Sequence, residues 1–502
     1  MNGDEHRAVG DAASGGALVN VGGTSAQEAL WLSFGDVMAL SGDYFRPGPS
    51  ATSRDDSHAD AGEHIGTLFS LARIPGQRGT KPGTRDEIIC ALQVMTVDEA
   101  FVDPRFEPGG EYADLTLGRH GPLRDVERRV RDRYLILAAT NDDHFVTPGG
   151  VTHDGAAGAQ PFGSAPAAYR RLHEAALEEA CRLGHVGGDA SQAFAREAAA
   201  QHFLTDAFTA GHMRTPVAQI RRYWRARYPS FWPDLQGRVA ADTAATLREL
   251  AWAIRLLPER FLHDTTLAAV RQRTAPYPPL SVGDFLARLF HDWDNTHGLA
   301  VEGGDVVFGD GHVHEGATRR LAVAAARAGI DDVAAACELG EAGHRLTGEA
   351  LYRAVRAATG ADGHRFRPEA MIPRTAAHNP AQNWRAPDLE SLWDGPIVGH
   401  HGATVGQALT EMMHPDGYFI RQLDRLGQSL VDAPGLLGIP VLGGWLARTG
   451  ARAYHRGFVE PLARRPRQSI LSVVHAHAAM DGGADAARSP GARYAVPRPR
   501  EL

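Results

Sequence analysis

The stretch from Asp189 to His212, DASQAFAREAAAQHFLTDAFTAGH, constrains this chain more than any other part of it. Alanine is the strongest helix former, and the segment carries it at one position in three. Asp189 followed by Gln192 has the arrangement of an N-terminal capping box. A helix is therefore expected to open there and to end or bend near Gly211. Phe203, Leu204, Ala207 and Phe208 make its last turns apolar and buried. His202 and Asp206, four residues apart, project from one face of that helix. His212 follows six residues later, within about 120° of the other two on an ideal helix. A surface histidine in a helix ion pair would not need such apolar neighbours. One carboxylate between two imidazoles suits zinc, which takes nitrogen and oxygen ligands in tetrahedral sites.

Other segments have similar content. In FLARLFHDWDNTHG an apolar helix leads into His291 and Asn295, four apart, with Asp292, Asp294 and His297 beside them. NDDHF brings His144 in behind the apolar run from Leu135 to Ala139. FGDVMALSGDYF places Asp36 and Asp43 seven apart, two turns along one helix face, among apolar residues. Buried carboxylates need cations or several hydrogen bonds. His312 and His314 read as a turn, and His400 and His401 as surface or cap residues. The glycine-rich stretches lack P-loop or dinucleotide spacing, so no nucleotide cofactor is indicated.

The rest of the chain reads as helices and long loops. Residues 1–25 are Gly- and Ala-rich without periodicity and are expected to be disordered. A helix is expected over SAQEALWLSFGDVMALSGDYF, followed by a loop insertion at about 46–82. Helical patterns resume over 84–100 and 122–140, and a further loop covers 146–165. Strong helices are expected over VGDFLARLFHDWDN, with Gly298 just beyond, and over ATRRLAVAAARAGIDDVAAACELGEAG. These divide into a metal-dependent domain at 26–345, a C-terminal helical region at 346–480 with one more helical stretch near 404–432, and a loose tail at 481–502. The expected fold class is all-α.

The net charge of −8 argues against general binding to nucleic-acid backbones or anionic lipid. No run reaches the ~18 apolar residues of a membrane span, and APGLLGIPVLGGWLARTG reads as a docking loop or packed turn. No secretory signal peptide is visible, which leaves the cytoplasm or export without a cleaved signal. Cys90, Cys181 and Cys337 lack CxxC spacing and read as buried free thiols. The 24 histidines are the conspicuous excess.

The order of these elements, over roughly residues 30–315, resembles the zinc-dependent phospholipase C and S1/P1 nuclease superfamily. That superfamily is all-helical and carries a trinuclear zinc site. Its central motif, H-x3-D-x5-H, is matched by His202, Asp206 and His212. Its next motif, a histidine followed four residues later by an acid, is matched by His291 with Asn295 in the acid's place, Asp294 being the alternative. His144 of DHF resembles the earlier ligand histidine, and Asp43 the acid that precedes it. The wording is closest to the bacterial phosphatidylcholine-hydrolysing branch.

The resemblance implies two or three zinc ions. Asp43, His144, His202 and Asp206 would hold a pair, His212, His291 and Asn295 another ion, and Asp36 would be a further ligand. Asp43 would also assist as base, and Tyr44 would lie near the choline. The implied activity is phospholipase C cleavage of phosphatidylcholine-like lipids, with transient contact to a membrane surface. A zinc nuclease or 3′-nucleotidase, the one case in which nucleic acid would be a partner, and a helical protein with a structural metal are the alternatives. The region after 345 would bind lipid or a partner, or pack around the core.

Overall fold

In the computed structural model the described residues are 1–21, 31–42, 142–146, 164–250, 252–275, 279–313, 316–359, 368–378, 382–400, 402–415 and 449–481, with single helical residues at 88, 91, 92, 420 and 423. Along the chain come α1 (Gly3–Ser14), β1 (Leu18–Asn20), β2 (Trp31–Ser33), α2 (Phe34–Leu40) and a 3-10 turn at Asp142–His144. There follow α3 (Ala165–Val186), α4 (Ser191–Asp206), α5 (Ala210–Arg214), α6 (Val217–Arg227), α7 (Phe231–Leu250), α8 (Glu259–Thr274) and α9 (Val282–His297). After β3 (Leu299–Ala300) and β4 (Val306–Val307) come α10 (Ala317–Glu341), α11 (Gly348–Ala358), α12 (Leu389–Trp393), α13 (Val405–Met412), α14 (Glu460–Arg464) and α15 (Pro466–Asp481). The fold is all-α. Its strands, among the described residues, form two small antiparallel pairs, β1 with β2 and β3 with β4.

The chain divides into two compact units. The first comprises Met1–Arg221, Asp284–Trp384 and Ile397–Gly402, and the second Arg222–Gly283, Arg385–Pro396 and Ala403–Leu502. This differs from the expected division at 345, because residues 222–283 group with the C-terminal region instead of the segment around them in sequence. In the second unit α7 packs on α8, on α15 and on the π-helical turn His455–Val459. Ala244, Leu247, Ile254, Leu262 and Ala453 form a small core there.

The first unit is built around α4, which packs against α2, α3, α10 and β1. From Ala198 to Asp206 every residue is buried, so the helix has no solvent face in its last turns. Its start is not the expected capping box. Asp189 instead accepts from the Ser191 N–H at 2.9 Å and the Ser191 hydroxyl at 2.7 Å. Gly211 does not end the helix either, since α4 stops at Asp206 and Gly211 lies inside α5.

The expected disorder at 1–25 is corrected by α1. Asn2 and Glu5 form a capping box that opens the helix, and Gly15, at φ 69°, closes it in the left-handed region. Val9, Gly10 and Ala13 are buried. Small residues hid this face from the sequence pattern. A Cβ on Gly10 would lie 2.7 Å from the Gly35 Cα, so α1 and α2 meet almost backbone to backbone. The helix expected across residues 25–45 is also corrected. Trp31–Ser33 is a strand paired with Leu18–Asn20, and α2 begins only at Phe34. Ser33 caps it by accepting from the Asp36 N–H at 3.0 Å, while Asp36 accepts from the Ser33 N–H at 3.3 Å. The helices expected at 282–297 and 317–341 are present, and Gly298 ends the former at φ 75°. The patterns at 122–140 and most of 84–100 lie outside the described residues, as do the segment at 433–448 and Cys90. Of the other two cysteines, Cys181 is a buried free thiol and Cys337 a half-buried one.

Between α3, α4 and α10 lies a buried polar cluster. His173 Nδ1 is 2.7 Å from Glu197, and its Nε2 is 3.6 Å from Asp332. Gln201 donates to Glu197 at 2.9 Å and to the Ala326 carbonyl at 2.7 Å. Burial pulls the His173 pKa down, but Glu197 and Asp332 outweigh it and lift it to about 10. Because the folded value lies above the unfolded one, the stabilisation is complete below about pH 6.5 and is lost as pH rises toward 10. Thermal unfolding should therefore show a fall in stability from pH 7 to 10 that His173→Gln removes. The same variant should lose about 3–5 kcal/mol at neutral pH, since it leaves buried carboxylates unpaired. A pH dependence unchanged in His173→Gln would contradict this.

Candidate metal centre

The last turn of α4 delivers Asp206 into the interior of the first unit, where it is 1% exposed. Its two oxygens face different groups. Oδ2 lies 2.6 Å from His144 Nδ1 and 3.5 Å from His202 Nε2, and those two nitrogens are 3.2 Å apart. Oδ1 lies 3.2 Å from His6 Nε2, 3.2 Å from His212 Nδ1 and 2.7 Å from the Met1 amino nitrogen. Ligands about 2.0–2.1 Å from a tetrahedral ion lie about 3.3 Å from one another. The separations of His6, His212 and His202 from Asp206, 3.2 to 3.5 Å, are of that size, while His144 Nδ1 hydrogen-bonds Oδ2 directly at 2.6 Å.

Hydrogen bonds at the outer edge set the imidazole tautomers. His202 Nδ1 donates to the Met38 carbonyl at 2.9 Å. His6 Nδ1 donates to the Thr205 hydroxyl oxygen at 2.9 Å, while that hydroxyl donates onward to the Gln201 carbonyl at 2.8 Å. His291 Nδ1 donates to Asp292 at 2.8 Å. In each ring the Nε2 lone pair is left pointing inward, as metal-ligating histidines require. His6 and His202 stack at 4.0 Å between centroids, so charging both rings would be costly. Burial and the neighbouring His6 accordingly hold the His202 pKa well below the ordinary imidazole value. Burial, against the pull of Asp206, lowers His212 to about 4. Burial alone would raise Asp206, but the Met1 ammonium and the surrounding histidines hold it well below the carboxylate range.

Packing brings the remaining ligand histidines to this carboxylate. The Val146 N–H bonds the His212 carbonyl at 2.9 Å, which fastens the turn carrying His144 to α5. Phe145 packs edge-on against His212 with centroids 4.6 Å apart, and His212 lies 4.9 Å from the His291 ring. Gly211 is needed because a Cβ there would lie 2.5 Å from the His291 carbonyl oxygen.

His144, His202, Asp206, His212 and His291 are thus brought together. Two of the expected ligands have their polar atoms engaged elsewhere. The Asp36 carboxylate belongs to the cap of α2. Asn295 Oδ1 accepts from the Gly211 N–H at 2.6 Å and so turns its amide nitrogen, which has no lone pair to offer, toward His291 Nε2 at 3.2 Å. Asp43 lies outside the described residues, as does Tyr44. The alternative acid, Asp294, is saturated. Arg214 grips both its oxygens at 2.6 and 2.8 Å, Gln382 donates at 2.8 Å, and His400 lies 3.1 Å away. That contact leaves His400 half-buried rather than fully at the surface.

Two side chains that could hold a metal ion escaped the sequence reading. His6 sits in a segment without apolar periodicity, and its only signal was the capping pair Asn2 and Glu5. Asp310 sits in a glycine turn, GDG, beside histidines of which His312 is exposed. The groups with ligand atoms close enough to share an ion are His6, His202 and Asp206, all buried, and His291, Asp292 and Asp310. Among the described residues, His6 Nε2 and His212 Nδ1 have no well-directed hydrogen bond although both are buried. Orphaned inward nitrogens beside a buried carboxylate fit a divalent cation. No family model, curated protein or solved structure matches this chain.

Thr205 touches no other ligand than His6 and Asp206's own helix, so it tests the arrangement. Thr205→Val, which removes the acceptor for His6 Nδ1, is expected to weaken zinc binding about 10–100-fold. Competition against a fluorescent chelator measures this, and unchanged affinity would remove His6 from the centre.

Proposed function

We propose that this chain is a zinc-dependent phosphodiester hydrolase of the phospholipase C type, which cleaves phosphatidylcholine-like lipids to diacylglycerol and phosphocholine. The observation that supports this most is the two-sided setting of Asp206. One oxygen faces His144 and His202, the other His6 and His212, on the helix whose H-x3-D-x5-H motif resembles that superfamily. Such a carboxylate would hold bound metal together with these histidines. Bound zinc would supply Lewis acidity, lowering the pKa of its water toward ~7 and neutralising phosphate oxygens.

The chain's own part in the reaction is to bind and orient. His202, kept neutral by burial, presents a lone pair rather than a proton, and His6 turns its Nε2 toward Asp206 through the Nδ1 bond to Thr205. Asp206 keeps its negative charge at neutral pH, so it balances cations on both sides. In the net reaction water adds to phosphorus, the bond from phosphorus to the glycerol oxygen breaks, and that oxygen leaves with a proton as diacylglycerol. Asp43 as base and Tyr44 beside the choline keep the roles that the resemblance implies. No helix among the described residues is long and apolar enough to cross a membrane, and the lipid would be met at a membrane surface. A net charge of −8 disfavours a polyanionic substrate.

Purified zinc-loaded protein offered phosphatidylcholine vesicles and single-stranded DNA, each with and without chelator, separates the readings. Chelator-sensitive release of phosphocholine is expected, and His202→Ala should lose both zinc and activity. Release of nucleotides instead would move the chain to the nuclease alternative. Bound zinc with neither product would make the metal structural.

A further inference from the structure

We propose that Asp310 is the carboxylate ligand of the metal subsite formed by His212 and His291, in place of the residue four positions after His291. This rests on the metal centre proposed above and assigns one of its ligands.

Among the described residues three acids other than Asp206 lie near His291, and two already have partners on both oxygens. Asp292 accepts from His291 Nδ1 at 2.8 Å with one oxygen and from the Arg288 Nε–H at 2.7 Å with the other. It therefore sits behind the ring and orients it. Asp294 is closed by Arg214, Gln382 and His400. Among the described acids Asp310 stands on the Nε2 side of His291, with Oδ2 3.5 Å from that nitrogen. Its Oδ1 lies 3.2 Å from the Met1 nitrogen but makes no well-directed hydrogen bond. His212 lies beside His291, with the two rings 4.9 Å apart and its orphaned Nδ1 3.2 Å from Asp206 Oδ1.

Asn295 fails as a ligand on chemical grounds. Its oxygen is held by the Gly211 N–H at 2.6 Å. Flipping the amide would oppose two donors there, so the nitrogen must face His291. That amide contact, at 3.2 Å, is a long hydrogen bond that a cation on Nε2 would replace.

The chain fixes Asp310 from both flanks. Glu5 accepts from the Gly311 N–H at 3.0 Å and the Val313 N–H at 2.7 Å. On the other side the Gly309 N–H bonds the Asn295 carbonyl at 3.1 Å, and a Cβ on Gly309 would meet the Asn295 side chain at 1.9 Å. The glycine and the asparagine thus bring the turn against α9 at the height of His291. An acid arriving from the loop after β4 can in this way supply the oxygen ligand that α9 itself does not offer.

The test compares wild-type protein with Asp310→Asn, which keeps shape and removes charge. Each is equilibrated with zinc, freed of excess by gel filtration, and assayed for bound metal by atomic emission. The zinc-induced rise in Tm is measured in parallel, and circular dichroism checks folding. Asp310→Asn is expected to retain one zinc fewer than wild type, with a smaller rise in Tm. Should that variant fail to fold, Asp310→Glu decides the question, with at least a tenfold weaker affinity expected at one site and the others unchanged. Full zinc content and unchanged affinity in the folded variants would overturn the assignment and leave the centre standing. Wild-type protein that binds no zinc would overturn the centre itself, and this assignment with it.

Discussion

A single buried carboxylate, Asp206, sets the terms for the first unit. Taking an ionised carboxylate out of water costs several kcal/mol unless positive charge or hydrogen bonds meet it. The helix that carries it is covered on every side, so the compensation has to come from other segments of the chain. It comes from the Met1 ammonium, from α1 through His6, from the turn at 142–144 through His144, and from α5 through His212. Of the imidazoles around it, His202 and His212 are held below the ordinary imidazole range by burial. They offer lone pairs more than charge, and the arrangement suits a cation better than it suits a chain of hydrogen bonds.

The surrounding packing follows from bringing so many polar groups to one point. Backbones must approach closely, and the residues at those contacts are small. Gly10 and Gly35 let α1 lie on α2, which puts His6 against His202. Gly211 lets α5 reach α9. The charges not needed at the centre are closed off in pairs nearby. Arg214 on α5 and Asp294 on α9 neutralise each other and so fasten together the helices that carry His212 and His291. The cluster of His173, Glu197 and Asp332 does the same for α3, α4 and α10, one helical turn and more before His202.

Much of this was legible in the chain, though unevenly. The helical class and the long helices α9 and α10 followed from periodicity and from the stop at Gly298. His202, Asp206, His212, His144 and His291 were visible because acids and imidazoles in apolar surroundings need partners. The centre's other contributors were not. His6 rides on a helix whose buried face is glycine and alanine, and periodic hydrophobicity does not register small residues. Asp310 comes from a glycine turn, far from any helical spacing rule. The motif position at Asn295 misled for a related reason, because spacing along α9 says nothing of the Gly211 N–H that claims its oxygen. Asp36 misled likewise. It is buried among apolar residues, as expected of a ligand, but its need for partners is met by the Ser33 cap.

Anomalous diffraction at the zinc edge from crystals grown with zinc tests the central claim most directly. The account predicts two peaks flanking Asp206, each about 2 Å from one of its oxygens, one beside His144 and His202 and the other beside His6 or His212. A single peak away from Asp206, or none within reach of either oxygen, would contradict it.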